Sequence, residues 1–212
     1  MEHEFWHARW EGNRIAFHEG SENALISAHF SKMQLAPNSK IFVPLCGKTR
    51  DIAWLLSQGH SVIGAELSEL AIRQLFSELG VSPKITDLAD HKHYHAPQLD
   101  IYVGDIFALT SEMIGPVEAI IDRAALVALP SDMRGDYAAQ LTSLTAHAPQ
   151  LLVTYEYDQS AAKGPPFSVS ANEVRSLYEN DYAIALLKTV TVEGGLRGTT
   201  PATETIWQLT PF

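Results

Sequence analysis

Apolar residues follow two rhythms along this chain. Short unbroken runs suit strands covered on both faces, and stripes recurring every third or fourth position suit helices lying on a sheet. The runs place strands at Ile41 to Val43, Ser61 to Ala65, Asp100 to Val103, Val117 to Ile121 and Leu151 to Tyr155. Between them, Ile52, Leu55 and Leu56 stripe a helix over Thr49 to Gln58. Ile72, Leu75, Phe76 and Leu79 stripe another, with Ser68 as its N-cap and Gly80 as its stop. A third opens at Pro130, Ser131 and Asp132 with Met133, Tyr137, Leu141 and Leu144 on one side, and a fourth covers Ser170 to Tyr178. Upstream, Glu4 to Trp10 reads as a helix that turns Trp6 and Trp10 the same way. Asn13 to Phe17 reads as a connection, and Glu22 to Met33 as a helix with Leu25, Ile26 and Phe30 inward. At the far end, Ile184 to Val192 and Thr203 to Thr210 flank Gly194-Gly195 as a closing antiparallel hairpin. The order of elements predicts an α/β fold: a seven-stranded, mostly parallel sheet with helices on both faces and an antiparallel C-terminal hairpin.

The segment from Lys40 to Glu66 is the most informative, because it reads as strand, tight turn, helix, strand and then an acid. Glu66 closes the second strand where a carboxylate can accept both hydroxyls of a ribose. A dinucleotide site, however, needs Gly-x-Gly-x-x-Gly so that backbone amides can approach a pyrophosphate at a helix N-terminus. This turn has one glycine, Gly47, and a Pro44 that donates no hydrogen. A pyrophosphate would be poorly held, and a nucleoside without phosphates, S-adenosylmethionine being the common one, is the ligand that fits. The plainer alternative makes Gly47 a mere turn residue and Glu66 an exposed strand end.

The chain has 212 residues, enough for one sizeable core, so residues 1–212 are expected to form a single domain. A net charge of −10 disfavours nucleic-acid and anionic membrane partners. One cysteine, Cys46, excludes an internal disulfide, and the start MEHEFWHARW lacks an export signal, so a cytoplasmic location is expected. No apolar run is long enough to cross a bilayer. A monomer is expected.

Residues 81 to 99 are polar and irregular, and include His91, His93 and His95 at alternating positions. Alternate residues share a strand face, so a metal site is conceivable there. No cysteine accompanies them, and Lys92, Tyr94 and Pro97 suggest an exposed loop, so no metal is assigned.

In an open parallel sheet, ligands bind beyond the carboxyl ends of the strands. Those ends are Leu45 to Gly47, Glu66, Asp105 and Ile106, Asp122 and Arg123, and Tyr155 to Asp158. Glu66 suits the ribose, while Leu45 and Ile106 could border the methionine stem and the adenine. Arg123 either neutralises the methionine carboxylate or an anionic acceptor, or it pairs with Asp122. No His or Cys is placed as a nucleophile, and Cys46 reads as a small buried filler. No catalytic residue is therefore assigned. Methyl transfer needs chiefly alignment and exclusion of water when the acceptor is acidic or soft.

The motifs FWHARWEGNRIAFHE, FVPLCGKTRD, GHSVIGAELSELAI, GDIFAL, IIDRAALVALP and GPPFSVS occur in that order across nearly the whole chain. Together they resemble thiopurine S-methyltransferases of the bacterial branch, within the Rossmann-like class I methyltransferases. The resemblance implies an N-terminal helical lid over 1–35 and a Rossmann-like core over 36–212. It implies S-adenosylmethionine as cofactor, bound by Trp6, Trp10, Leu45, Glu66 and Arg123, with Asp105 and Ile106 near the adenine. It implies that Phe17, Pro166 and Phe167 touch the acceptor, an aromatic or heterocyclic thiol, or a selenium or tellurium compound. Set against that resemblance, the sequence opens almost at the Trp6 helix, and a lid without the longer N-terminal extension of the animal enzymes is expected. Two alternatives stand beside this reading: a methyltransferase for small thiols or halide ions, and a noncatalytic nucleoside-binding module.

Overall fold

In the computed structural model, which describes residues 3–15 and 20–212, the chain divides into two compact units. Met1–Ala24 with Leu35–Ile120 form the first, and Leu25–Gln34 with Ile121–Phe212 form the second.

The first unit is built on the apolar runs. Strands β1 (Lys40–Val43), β2 (Ser61–Glu66) and β5 (Leu99–Gly104) pair in parallel, and Ala119 and Ile120 of β6 (Ala119–Asp122) extend the ladder beside β1. Ile41, Phe42, Val62 and Ile101 are buried, as strands sandwiched between layers require. Helix α3 (Arg50–Ser57) packs on β2 and buries Ile52 and Leu55, while Thr49 caps it by accepting the Asp51 N–H. Helix α4 (Glu69–Leu79) starts at the Ser68 cap, packs on β2 and β5, and stops at Gly80 in the left-handed region. Helix α1 (His3–Glu11) packs on α4.

The polar stretch read as a loop is instead two strands, β3 (Lys84–Asp87) and β4 (His91–Ala96), added antiparallel to β5 in the order β3-β4-β5. They bring the strands among the described residues to nine, two beyond the seven expected. The physical reason is that β4 buys its burial with paired polar groups rather than apolar side chains. Tyr94 is 1% exposed, lies against Phe76 of α4, and donates its hydroxyl to Glu69 at 2.6 Å. Lys92 bonds the other oxygen of Glu69 at 2.7 Å. Those contacts hold the Glu69 carboxyl down at about 2. Strand β3 is exposed at all four positions and depends on its backbone ladder.

In the second unit β7 (Gln150–Tyr157), β9 (Ala202–Pro211) and β8 (Tyr182–Thr191) pair antiparallel in that spatial order. The expected closing hairpin is β8 and β9. The buried Trp207 donates its indole N–H to Thr154 at 2.9 Å, locking β9 to β7. Helix α6 (Ser131–Leu144) buries Tyr137, Leu141 and Leu144, and α7 (Ala171–Tyr178) buries Val174 and Tyr178. The helix expected over Glu22 to Met33 is α2 (Ala24–His29) followed by a 3-10 turn, Phe30–Met33. Back in the first unit, a short α5 (Ser111–Ile114) precedes β6. Among the described residues no helix is long and apolar enough to cross a membrane.

Candidate functional site: a crevice at the end of β2

The turn after β1 folds back onto the end of β2. Leu45 and Gly47 both adopt positive φ, 45° and 50°, a conformation that glycine takes freely and leucine takes at a cost. This brings the Cys46 N–H to the Ala65 carbonyl at 2.9 Å and the Gly47 N–H to Glu66 Oε2 at 2.7 Å. Thr49 N–H goes to the Cys46 carbonyl at 3.1 Å. With Pro44 lacking a hydrogen, the turn has spent these amides inside the chain.

The start of α3 is filled in the same way. Asp51, 1% exposed, accepts the Asn23 N–H at 2.7 Å and the Thr49 hydroxyl at 2.9 Å. A carboxylate thus occupies the positive end of the helix where a dinucleotide fold would seat phosphate. The absent glycine fingerprint has this structural counterpart.

Glu66 is buried, 7% exposed, and is not the exposed strand end of the plainer reading. Its Oε1 accepts the Ser68 N–H at 2.8 Å, opposite the Gly47 contact on Oε2. Burial raises its pKa, and the amides of Ser68, Gly47 and Leu67 pull the other way. Each oxygen retains a lone pair that can receive a hydroxyl, and among the described residues no cation pairs with it. This chemistry fits a ribose diol: two donors meeting a fixed, dry, bidentate acceptor.

Trp10 of α1 is 4% exposed and its indole lies over Gly47. A methyl group at Gly47 would stand 3.0 Å from Trp10 Cζ2 and 4.0 Å from Glu66 Oε2, so the missing side chain is the space the ring edge needs. Trp6 is half-buried and meets Phe5 edge to face at 5.3 Å. Cys46 fills the gap over Gly64, whose added methyl would lie 3.0 Å from its sulfur. Burial pushes this thiol well up, and the Glu66 charge adds to the effect. It stays protonated and unreactive.

At the end of β5, Asp105 accepts the Phe107 N–H at 3.0 Å and lies 3.3 Å from His3 Nε2, while Ile106 is buried. The Asp105 carbonyl meets His91 Nε2 at 3.0 Å. A cavity of about 520 Å3 is lined by Leu67 and Ser68, by Gly104, by His7 and Glu11 of α1, and by the turn from Asp87 to Lys92. Nothing in the polar, irregular pattern of residues 81 to 99, which suggests an exposed loop, points to the last group as part of the lining. Gly104 is required there: a methyl on it would sit 2.5 Å from the His91 ring and 2.7 Å from the Asp90 carbonyl.

In the second unit Asp122, wholly buried, accepts the Leu126 N–H at 3.0 Å and the Tyr137 hydroxyl at 2.8 Å. Its carboxylate is therefore held by these two donors and not by its neighbour Arg123. Burial pushes Asp122 up to about 6. In the GPPF loop, the Pro166 carbonyl accepts the Tyr157 hydroxyl at 2.7 Å, the Phe167 N–H reaches the Val127 carbonyl, and Arg134 lies 5.8 Å from the Phe167 ring. Phe17 lies outside the described residues.

The family model described as thiopurine S-methyltransferase matches residues 1–209. The chain belongs to the thiopurine S-methyltransferase family. It is an enzyme whose cofactor is S-adenosylmethionine. A thiopurine S-methyltransferase of Xanthobacter autotrophicus is 56% identical over 210 residues, spanning 99% of both chains. One from Teredinibacter turnerae is 48% identical over 99% of this chain and 97% of its own. Among solved structures, the 1,6-didemethyltoxoflavin-N1-methyltransferase of Burkholderia thailandensis superposes with a TM-score of 0.66 at 15% identity, covering 98% of this chain and 87% of that one. A TehB-like methyltransferase of Corynebacterium glutamicum gives 0.57 at 15%, covering 99% and 98%. The fold of this family member is thus that of S-adenosylmethionine-dependent methyltransferases.

Proposed function

We propose that this enzyme methylates the sulfur of aromatic and heterocyclic thiols, thiopurines among them, and the selenium or tellurium of comparable compounds, by in-line transfer. The observation that carries the reading is the whole-length match to relatives named for thiopurine S-methylation. The spent amides of the β1 turn support the choice of a phosphate-free nucleoside as methyl donor.

When bound, the cofactor supplies a methyl group on a positively charged sulfur. The residues of the chain hold, orient and keep dry. Glu66 receives the ribose hydroxyls, Leu45 borders the methionine stem, and Asp105 and Ile106 flank the adenine. Arg123 answers the methionine carboxylate or an anionic acceptor. Trp6 and Trp10 cover the cofactor, and Phe17, Pro166 and Phe167 form the acceptor wall. No base is assigned, because thiols and selenols attached to electron-poor rings are already ionised near neutral pH. Cys46, buried and protonated, does not supply a covalent route. We further propose that residues 1–35 act as the lid on a single methyltransferase domain, and that the protein is a cytoplasmic monomer with no nucleic-acid or membrane partner.

The test is a parallel assay with methyl-labelled cofactor and three acceptors: an aromatic thiol, hydrosulfide and iodide. The aromatic thiol should gain the label fastest. Preferential labelling of hydrosulfide or iodide would move the enzyme to the small-acceptor alternative, and tight cofactor binding without any transfer would mark a noncatalytic module. For the lid, indole fluorescence should change when S-adenosylhomocysteine is added. A signal indifferent to it removes Trp6 and Trp10 from the cover.

A further inference from the structure

We propose that His93, His95 and Asp100 form a binding site for one divalent transition metal ion of the zinc, nickel or copper class. The three residues share one face of the β4–β5 ladder. His93 and His95 are two apart on β4, and His95 stands directly opposite Asp100 on β5, with His93 opposite Tyr102. Both imidazoles converge on a single oxygen: His93 Nε2 lies 2.6 Å and His95 Nδ1 2.8 Å from Asp100 Oδ1. One donor atom from each residue falls within 4.8 Å of the others.

A tetrahedral ion with ligands at about 2.0–2.2 Å keeps those ligands roughly 3.4 Å apart, so small side-chain rotations open the trio to admit it. The His93 ring is held in place for this, stacked on Tyr102 at 4.7 Å and 5°, and the Tyr102 hydroxyl is anchored on the Met113 carbonyl. The side chain of His95 is 51% exposed, which leaves the remaining coordination position to water.

The donor set chooses the ion. Two imidazoles and one carboxylate suit zinc, nickel or copper, whereas magnesium and calcium prefer oxygen alone and no thiolate is present to favour copper(I). Without metal, an ionised Asp100 can only accept, so each histidine directs an N–H at it. The site is distinct from the cofactor crevice. Asp100 lies beside Ile63 in the β2–β5 ladder, while Glu66 lies beside Val103 at the opposite end.

The experiment is calorimetric titration of the untagged full chain with zinc near neutral pH in a non-chelating buffer. One equivalent should bind, and the double variant His93→Gln with His95→Gln should bind it about tenfold more weakly or worse. His147→Gln removes an exposed histidine that faces one carboxylate, Asp181, at 3.2 Å, and should leave the titration unchanged. No uptake by the wild-type chain, or equal uptake by the double variant, overturns the proposal. Should the double variant not fold, copper(II) electron paramagnetic resonance on the wild-type chain decides: coupling to two nitrogens is expected, and a single-nitrogen or aqueous spectrum overturns it.

Discussion

Glu66 and Asp122 are both acids that end a strand, both are buried, and burial raises both. They differ in what faces their oxygens. Glu66 is met by two backbone amides, one from a turn that folds back and one from the start of α4, and each oxygen keeps capacity for a further donor. Asp122 is met by one amide and by the Tyr137 hydroxyl, and it is fully enclosed. The first arrangement leaves room for further donors, as the proposed ribose contact requires; the second is a closed structural pair. Position in the fold alone would not have separated them.

The largest effect expected from breaking this contrast is on cofactor affinity. Glu66→Gln replaces one acceptor oxygen with an NH2 that faces a backbone N–H, and should weaken S-adenosylhomocysteine about a hundredfold by calorimetry, or about 2.7 kcal/mol. Asp122→Asn should change that affinity far less. Equal losses in the two variants would erase the distinction.

Asp122 sharpens the contrast through pH. Its folded pKa of about 6 stands above its ordinary 3.8, so the native state binds the proton more tightly than the unfolded chain. The stability this contributes is fully present below about 3.8 and is lost as pH rises through about 6, by up to about 3 kcal/mol. Denaturant melts between these limits should show that decline in the wild type and a flatter profile in Asp122→Asn. Parallel profiles would mean that Asp122 titrates normally.

A smaller effect is expected beside Glu66, at Gly47. Gly47→Ala forces a side chain into a backbone with φ of 50° and pushes against Trp10, which should cost about 1–2 kcal/mol of stability and alter indole emission. An unchanged emission spectrum would show that the ring does not rest there.

The crevice was legible in the sequence because its signals are local. Pro44, a single glycine and an acid closing the next strand lie within one short segment, and the structure brings the Gly47 N–H onto Glu66 there. Asp51 was overlooked: its place in the first turn of α3 was visible, but its burial against Asn23 depends on a contact distant in sequence. The β3–β4 pair was missed for a related reason. Lys92 and Tyr94 read as surface residues until Glu69, from another element, satisfies them. The histidine face followed from the same misreading, since a strand ladder is what sets His93 and His95 on one carboxylate. Sequence periodicity reports burial by apolar side chains, and it is blind to burial achieved by paired charges.

The central claim is that the turn after β1, its amides already committed, together with Glu66 selects an adenosyl ligand without phosphates. Calorimetric titration of the wild-type chain with S-adenosylhomocysteine and, separately, with NAD tests it directly. Saturable heat with the first and none with the second is the predicted result. Ready uptake of NAD in place of the thioether would contradict the account.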